Sequence, residues 1–147
     1  MWTAFSFFKN LDLHQMEHIE HLGIAVKDLQ VAIPLYEKLL GTVCYKREEV
    51  ESEGVTTAFF LTGNNKIELL QATREDSPIA KFIANRGEGL HHVAFAVQDI
   101  HKEMERLRNE GFRLLNEAPK CGADNKLICF VHPKDAGGML MELCQEI

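Results

Sequence analysis

The sequence predicts an α+β fold made of two tandem βαβββ modules within one chain of 147 residues. The first observation is a repeated strand-like segment, HLGIAVKDL at 21–29 and HVAFAVQDI at 92–100. The second is that each copy leads into an amphipathic helix that ends at a glycine. The third is that each module closes on an aliphatic strand with a central glutamate, KIELL at 66–70 and LMELC at 140–144.

The first module follows this plan from its first strand to its last. Its helix is predicted to begin after Asp28, a good N-cap residue, and to end at Gly41. VTTAFFL at 55–61 and KIELLQA at 66–72 are strand-like runs joined by a Gly-Asn-Asn turn. We therefore expect a hairpin after the helix.

The second module repeats the order after a short connecting helix at 77–85, which Ser77 and Pro78 begin. Asp99 is the expected N-cap of its helix, which is expected to end at Gly111. Two more strand-like runs follow, LICFV at 127–131 and MLMELC at 139–144. The predicted organisation is therefore a leader or arm at 1–15 and one domain at 16–147, with modules at about 17–75 and 89–147 and a linker helix at 77–87.

Composition narrows the possible functions. The net charge of −6 without a basic stripe argues against a nucleic-acid partner. No apolar run approaches the roughly 20 residues that span a bilayer, which argues against a membrane protein. The cysteines lack CxxC spacing and are expected to be free thiols in a reducing cytoplasm: Cys44, Cys121, Cys129 and Cys144.

Two histidines and two glutamates occupy matching places in the modules: His21 and His92 in the first strands, Glu68 and Glu142 in the last. Strand alternation puts each histidine opposite the aliphatic face that meets the helix, followed by small residues, as in a strand that lines a cavity. Either residue type alone would more often be structural. The repeated pairing instead predicts one divalent ion held by two nitrogens and two oxygens, a set that suits Co²⁺, Zn²⁺, Mn²⁺ or Ni²⁺.

The remaining histidines are weaker candidates for ligands. By the same alternation His91 should point away from His92. The others lie in the leader, at the strand entry, in the first turn of a helix or in a turn: His14, His18, His101 and His132.

At these residues the chain resembles the vicinal oxygen chelate (glyoxalase/bleomycin resistance) superfamily, and within it the methylmalonyl-CoA epimerase family. The resemblance covers about residues 17–147. Its more specific marks are DSPIAKFI, the GEGLHH run and the HPK…GG…EL ending. It implies a curved mixed sheet around a metal-binding cavity, and one bound divalent ion, most often cobalt.

The resemblance also implies an activity, the interconversion of (R)- and (S)-methylmalonyl-CoA by α-proton abstraction through a metal-stabilised enolate. It assigns Glu142 as both ligand and catalytic base. Some epimerases carry a glutamate where this chain has Thr57, which is counted here among the substrate-binding residues. The second proton is therefore expected to pass through water or a nearby carboxylate, Glu49, Glu51 or Glu53.

The phosphates of a CoA thioester need cations despite the acidic total. Lys120, Lys126 and Lys134 are the predicted candidates, with solvated lysines as the alternative reading. A homodimer is expected from the apolar module surfaces. Two other functions remain open: a glyoxalase I-type lactoylglutathione lyase, and a metal-free binding or resistance module of the same fold.

Overall fold

One eight-stranded sheet joins both halves of the chain in the computed structural model, which describes residues 16–147. The arm predicted at 1–15 lies outside the described residues. The strands are β1 (His18–Ala25), β2 (Lys46–Val50), β3 (Val55–Thr62), β4 (Asn65–Ala72), β5 (Gly89–Ala96), β6 (Lys120–Cys121), β7 (Lys126–Val131) and β8 (Met141–Glu146). The helices are α1 (Leu29–Leu40), α2 (Pro78–Arg86) and α3 (Ile100–Asn109).

The strand order confirms the predicted pair of βαβββ units. It reads β2-β3-β4-β1-β5-β8-β7-β6, so each half repeats the same internal order and the two halves meet where β1 pairs with β5. The pairs β1–β4 and β5–β8 are parallel, whereas β1–β5 and the hairpin pairs are antiparallel. The sheet is therefore mixed, and it curves around a cavity lined by residues of both halves.

The helices start and end where the capping residues predict. The Asp28 carboxylate accepts a hydrogen bond from the Gln30 N–H at 2.8 Å, and α1 ends at Gly41 with φ of 67°. The Asp99 carboxylate caps α3 through the Lys102 N–H at 3.1 Å. The structure therefore confirms the predicted starts of α1 and α3 and the predicted end of α1.

The core is built twice, once in each half, between a helix and one face of the sheet. The two clusters have corresponding members at the repeat offset of 71 (92 − 21), such as Val26 and Val97. The buried members are Val26, Leu29, Ala32, Ile33, Ala58, Phe60 and Leu69 in the first cluster, and Val97, Ile100, Met104, Leu107, Cys129, Val131 and Leu143 in the second. Apolar side chains fill one face of the sheet, which leaves the other face for polar groups.

The helices and the cysteines relate to the predictions about membranes and disulfides. Within residues 16–147, none of the helices has the length and apolar character that crossing a membrane requires. All four cysteines of the chain are free thiols, as predicted, and Cys129 and Cys144 are buried.

Candidate active site

The two predicted histidines and the two predicted glutamates meet at the centre of the curved sheet. Their strands β4, β1, β5 and β8 are adjacent. Gly23 of β1 is the register partner of both Glu68 and His92, and Ala94 of β5 is the partner of both His21 and Glu142. Directly paired residues point to the same face of a sheet, so the four side chains converge on the concave face.

Their reactive atoms lie within a few ångströms of one point. The two Nε2 atoms of His21 and His92 are 3.0 Å apart. Oε2 of Glu68 lies 3.2 Å from Nε2 of His21 and 3.6 Å from Nε2 of His92. Oε2 of Glu142 lies 3.3 Å from Nε2 of His92 and 3.9 Å from Nε2 of His21. All four side chains are buried.

Gly23 makes room for this arrangement. A Cβ at this position would lie 2.1 Å from Cε1 of His92, well inside van der Waals contact. The imidazole of His92 therefore rests directly over the backbone of β1. Gly23 is one of the small residues that follow His21 on the cavity-facing side of β1, and its lack of a side chain leaves the space that His92 occupies.

The electrostatics of the cluster favour a positive charge at its centre. Burial opposes the charged form of His21, but hydrogen bonds with Glu20 and Glu68 and the charges of Glu68 and Glu142 raise its pKa to about 10. Burial likewise opposes the charged form of Glu68, yet hydrogen bonds from His21 and His92 lower its pKa to about 2. Burial raises the pKa of Glu142, and the two histidines only partly offset this effect.

The donor set fits a divalent ion. Two imidazole nitrogens and two carboxylate oxygens are ligands that Zn²⁺, Co²⁺, Mn²⁺ and Ni²⁺ accept. Ligands about 2.1 Å from a shared ion are separated by about 3.0–3.5 Å when adjacent, and the distances above fall near this range. The ligand atoms of His21, His92 and Glu142 all lie within 4.8 Å of one another. Glu68 lies outside this group of three, but its Oε2 is 3.2 and 3.6 Å from the two Nε2 atoms, close enough to serve as a fourth ligand.

Two irregularities in the β1–β5 pairing bring further polar groups to the site. The register shifts between Ile19 and His21, which leaves Glu20 without a cross-strand partner, and it shifts again opposite His91. The prediction that His91 points away from His92 is therefore wrong, because a β-bulge cancels the alternation at that residue. His91 lines the cavity, and its Nδ1 lies 2.9 Å from Nδ1 of His92.

Glu20 is a residue of the site that the sequence did not reveal. Its carboxylate is hydrogen-bonded to Nδ1 of His21 and forms an ion pair with Lys66 at 2.8 Å. Strand alternation alone would place it on the helix-covered face. One signal was available, since Glu20 and His91 are the residues immediately before the two repeated histidines and are 71 positions apart.

A cavity of about 320 Å³ lies above the cluster. Thr57 lies in its wall, fully buried, with Oγ1 donating to the carbonyl of Glu48 at 3.4 Å. Among the three carboxylates considered for the second proton, only Glu53 lines the cavity, whereas Glu49 and Glu51 are exposed. Glu53 and Glu142 therefore line the same cavity.

The three predicted lysines differ in their positions. Lys120 and Lys126 line the cavity, and each has a carboxylate partner. Lys120 pairs with Glu53, and Lys126 lies 2.7 Å from Glu146. Lys134 is exposed in the turn after β7 and is not among the cavity-lining residues.

This fold is that of the glyoxalase and vicinal oxygen chelate class of proteins. Residues 20–130 match the family described as Glyoxalase/Bleomycin resistance protein/Dioxygenase superfamily. The chain is 41% identical to an ethylmalonyl-CoA/methylmalonyl-CoA epimerase of Cereibacter sphaeroides, over 86% of this chain and 96% of that one. On these grounds the chain belongs to the methylmalonyl-CoA epimerase family.

Solved structures agree with this assignment. The methylmalonyl-CoA epimerase from Mycobacterium tuberculosis is 37% identical and superposes with a TM-score of 0.88, over 95% of this chain and 94% of that one. A methylmalonyl-CoA epimerase in complex with methylmalonyl-CoA and NH4+ is 35% identical, with a TM-score of 0.86 over 90% of this chain and 96% of that one.

Proposed function

We propose that this protein interconverts (R)- and (S)-methylmalonyl-CoA by moving the α-proton, with one divalent ion held by His21, Glu68, His92 and Glu142. The observation that carries the proposal is the convergence of these four buried side chains on one point beneath a cavity. Membership of the epimerase family supports the choice of substrate. The ion would serve as a Lewis acid for the negative charge that develops on the thioester oxygen.

Glu142 is the proposed base on one face of the substrate. Its carboxylate approaches both histidines, and it makes no side-chain hydrogen bond to any other described residue. Burial raises its pKa, which strengthens it as a proton acceptor relative to an exposed carboxylate. A second group must exchange the proton on the opposite face, because inversion needs both faces.

Glu53 is the proposed partner of Glu142 in this exchange, directly or through a water molecule. It lines the same cavity, from the part of the first module that leads into β3. Thr57 presents a hydroxyl that cannot act as a base near neutral pH, so we assign it to substrate binding. Its place in the cavity wall supports this role.

Lys120 and Lys126 are proposed to contact the substrate near its acyl end, because both line the cavity. Their carboxylate partners leave them little free charge for the phosphates of CoA. Lys134, outside the cavity, is retained as a proposed contact for the tail of the substrate.

For the ion itself we propose Co²⁺, with Zn²⁺, Mn²⁺ and Ni²⁺ as alternatives that the same donors accept. We place the protein in the cytoplasm, since its free thiols fit a reducing compartment. A homodimer is proposed as well. The outer face of α1 supports it, with Val31, Leu35 and Leu39 exposed at 69%, 57% and 71%.

The decisive experiment follows the α-proton in D₂O. Purified protein is incubated with methylmalonyl-CoA with and without a chelator, and deuterium incorporation and the R/S ratio are recorded. We expect exchange coupled to epimerisation, lost on chelation and restored by metal. Turnover of the glutathione hemithioacetal in place of methylmalonyl-CoA would instead favour the lyase.

The ligand set has its own test. His92→Ala removes a nitrogen donor and should leave the fold intact, because the hydrogen bonds of the sheet do not involve the imidazole. Elemental analysis should find the metal content strongly reduced and far-UV circular dichroism unchanged. Full occupancy in this variant would disprove the four-ligand site.

A further inference from the structure

Lys66 of β4 lies next to the four converging side chains. It is the register partner of His21 in the β1–β4 pair and stands two positions before Glu68, so its side chain starts from the same concave face of the sheet. The side chain is 20% exposed, and it does not line the cavity above the cluster. Contact with a substrate in that cavity therefore does not account for this largely buried cation.

The ammonium group of Lys66 binds the carboxylate that contacts His21. Nζ of Lys66 lies 2.8 Å from Oε1 of Glu20, whereas the other oxygen of Glu20, Oε2, is hydrogen-bonded to Nδ1 of His21. Each oxygen of this largely buried carboxylate thus has its own partner. Because charge-assisted hydrogen bonds are directional, the bond to Lys66 restricts rotation of the carboxylate. The direction in which Glu20 meets His21 therefore depends on Lys66.

A second carboxylate, from the other module, holds Lys66 in place. Oδ2 of Asp124 lies 2.6 Å from Nζ of Lys66, so the ammonium group bridges Glu20 and Asp124. Two charged partners restrict the long, flexible lysine side chain more than one would. Another cation, Lys126, reaches Oε1 of Glu20 only at 4.0 Å and lies closer to Glu146, at 2.7 Å. Lys66 is therefore the nearer lysine partner of the Glu20 carboxylate.

We propose that Lys66 is a positioning residue of the proposed metal site, which orients His21 through Glu20. The inference rests on the proposed function, since it assumes an ion bound by His21. Asp124 holds Lys66, and Lys66 holds Glu20. Glu20 in turn contacts Nδ1 of His21, so that Nε2 of the ring faces the other ligands. Hydrogen-bond partners beyond the ligands fix the ring orientation of metal-binding histidines in this way.

The charge of Lys66 by itself would act in the opposite direction. A cation near the site repels a divalent ion, so its removal should tighten metal binding if charge alone matters. Orientation of His21 through Glu20 predicts instead that the loss of Lys66 weakens metal binding. The sign of the change in the Kd of the metal therefore distinguishes the two roles.

The test measures Co²⁺ binding to the metal-free protein by competition with a chelator. Lys66→Met keeps the length of the side chain without its charge and should raise the Kd about 10-fold, the lower end of the range for groups that orient a ligand. Lys66→Arg retains a cation that can bind two carboxylates and should restore most of the affinity. In the Glu20→Ala background, Lys66→Met should cause little further change, because its effect passes through Glu20.

The matched control is Lys46→Met, which changes the net charge equally. Lys46 also binds Asp124, at 2.9 Å, but its other carboxylate partner is Glu48 and not Glu20. Its Kd for Co²⁺ should stay near that of the parent or fall slightly. Circular dichroism verifies the fold of each variant. Should Lys66→Met unfold, Lys66→Gln replaces it, with the same expected direction.

Tighter or unchanged Co²⁺ binding without the Lys66 charge would overturn the proposal. So would equal weakening in Lys46→Met, or an undiminished further loss in the Glu20→Ala background. If the parent binds no Co²⁺, the proposed metal site fails, and the orienting role is tested by NMR of the metal-free protein. The Nδ1–H proton of His21 should then exchange slowly with solvent in the parent and faster in Lys66→Met. Equal exchange rates would exclude this role for Lys66.

Discussion

At the scale of single residues, the positions that precede the two proposed metal ligands His21 and His92 are as informative as the histidines themselves. Glu20 and His91 should face the helices by alternation, yet each is bulged toward the cavity and contacts Nδ1 of the next residue. A contact on Nδ1 fixes the orientation of the ring, and it directs the Nε2 lone pair toward the proposed ion site. Burial and the neighbouring His92 lower the pKa of His91 to about 4, so this contact is made by a neutral ring at neutral pH.

Glu20 should therefore affect metal affinity without being a ligand. Glu20→Ala removes the acceptor for Nδ1–H of His21 and should weaken metal binding by about 10- to 100-fold. Glu20→Gln retains an acceptor oxygen and should lose less. Metal affinities measured by competition with a chelator check this order. Glu17→Ala, at an exposed position just before β1, is the control. Parent affinity in Glu20→Ala would show that the contact does not orient His21.

The proposed roles of Glu53 and Glu142 can be distinguished by measuring α-proton exchange and inversion of the stereocentre separately. Glu53→Gln should slow epimerisation by about 10²–10⁴-fold. Wash-in of deuterium by Glu142 on one face should continue, because that face retains its base. Glu49→Gln, an exposed neighbour, serves as the control. Epimerisation at the parent rate in Glu53→Gln would transfer the role to water.

At the scale of elements, the loop between β6 and β7 closes the cavity across the two modules. The carboxylate of Asp124 accepts from Lys46 at 2.9 Å and from Lys66 at 2.6 Å, and its N–H donates to Glu48 at 2.8 Å. The backbone there is left-handed, with φ of 57° at Asp124 and 55° at Asn125. Three contacts to strands of the first module hold this conformation and thereby tie the two halves together at the cavity rim.

Removing this contact should loosen the rim. Asp124→Ala leaves two lysines without their shared carboxylate and should lower the free energy of unfolding by about 1–3 kcal/mol. Denaturant unfolding measures the change, and hydrogen exchange should show faster exchange around residues 120–126. Asp76→Ala, whose side chain is 73% exposed, should stay within about 0.5 kcal/mol of the parent. Equal free energies of unfolding for the two variants would contradict a stabilising contribution from the contacts of Asp124.

At the scale of the whole molecule, the two halves share one sheet but differ in the outer surfaces of their helices. Their concave faces combine to form the site, and the helices cover the convex face. The exposed aliphatic row on α1 has no counterpart on α3, whose surface is rich in charged residues. The proposal that α1 contacts a second copy of the chain rests on this asymmetry.

Assembly can be tested by one substitution on that row. Leu35→Lys places a charge among Val31 and Leu39 and should convert a dimer to a monomer, because desolvating an unpaired lysine at an interface is unfavourable. Sedimentation equilibrium of the parent and the variant measures the mass. Leu61→Lys, at an exposed leucine on β3, is the control and should leave the mass unchanged. A monomeric parent, or a dimeric Leu35→Lys, would rule out this interface.

Much of the fold and the four central residues follow from the sequence alone. The repeat at 21–29 and 92–100, the caps at Asp28 and Asp99, and the period-two pattern of the strands are local signals. These signals depend on residues only a few positions apart, so they can be recognised in the sequence alone. The paired His and Glu are visible for the same reason, since the repeat carries their relation.

Only the tertiary structure decided the polar contacts around the histidines and the charge of the cavity wall. Bulges at Glu20 and His91 arise from the register between β1 and β5, which strand periodicity does not specify. The pairing of Lys120 with Glu53 and of Lys126 with Glu146 depends on residues that are distant in the sequence. Local sequence determines which side chains are offered, whereas long-range packing determines which charges are neutralised.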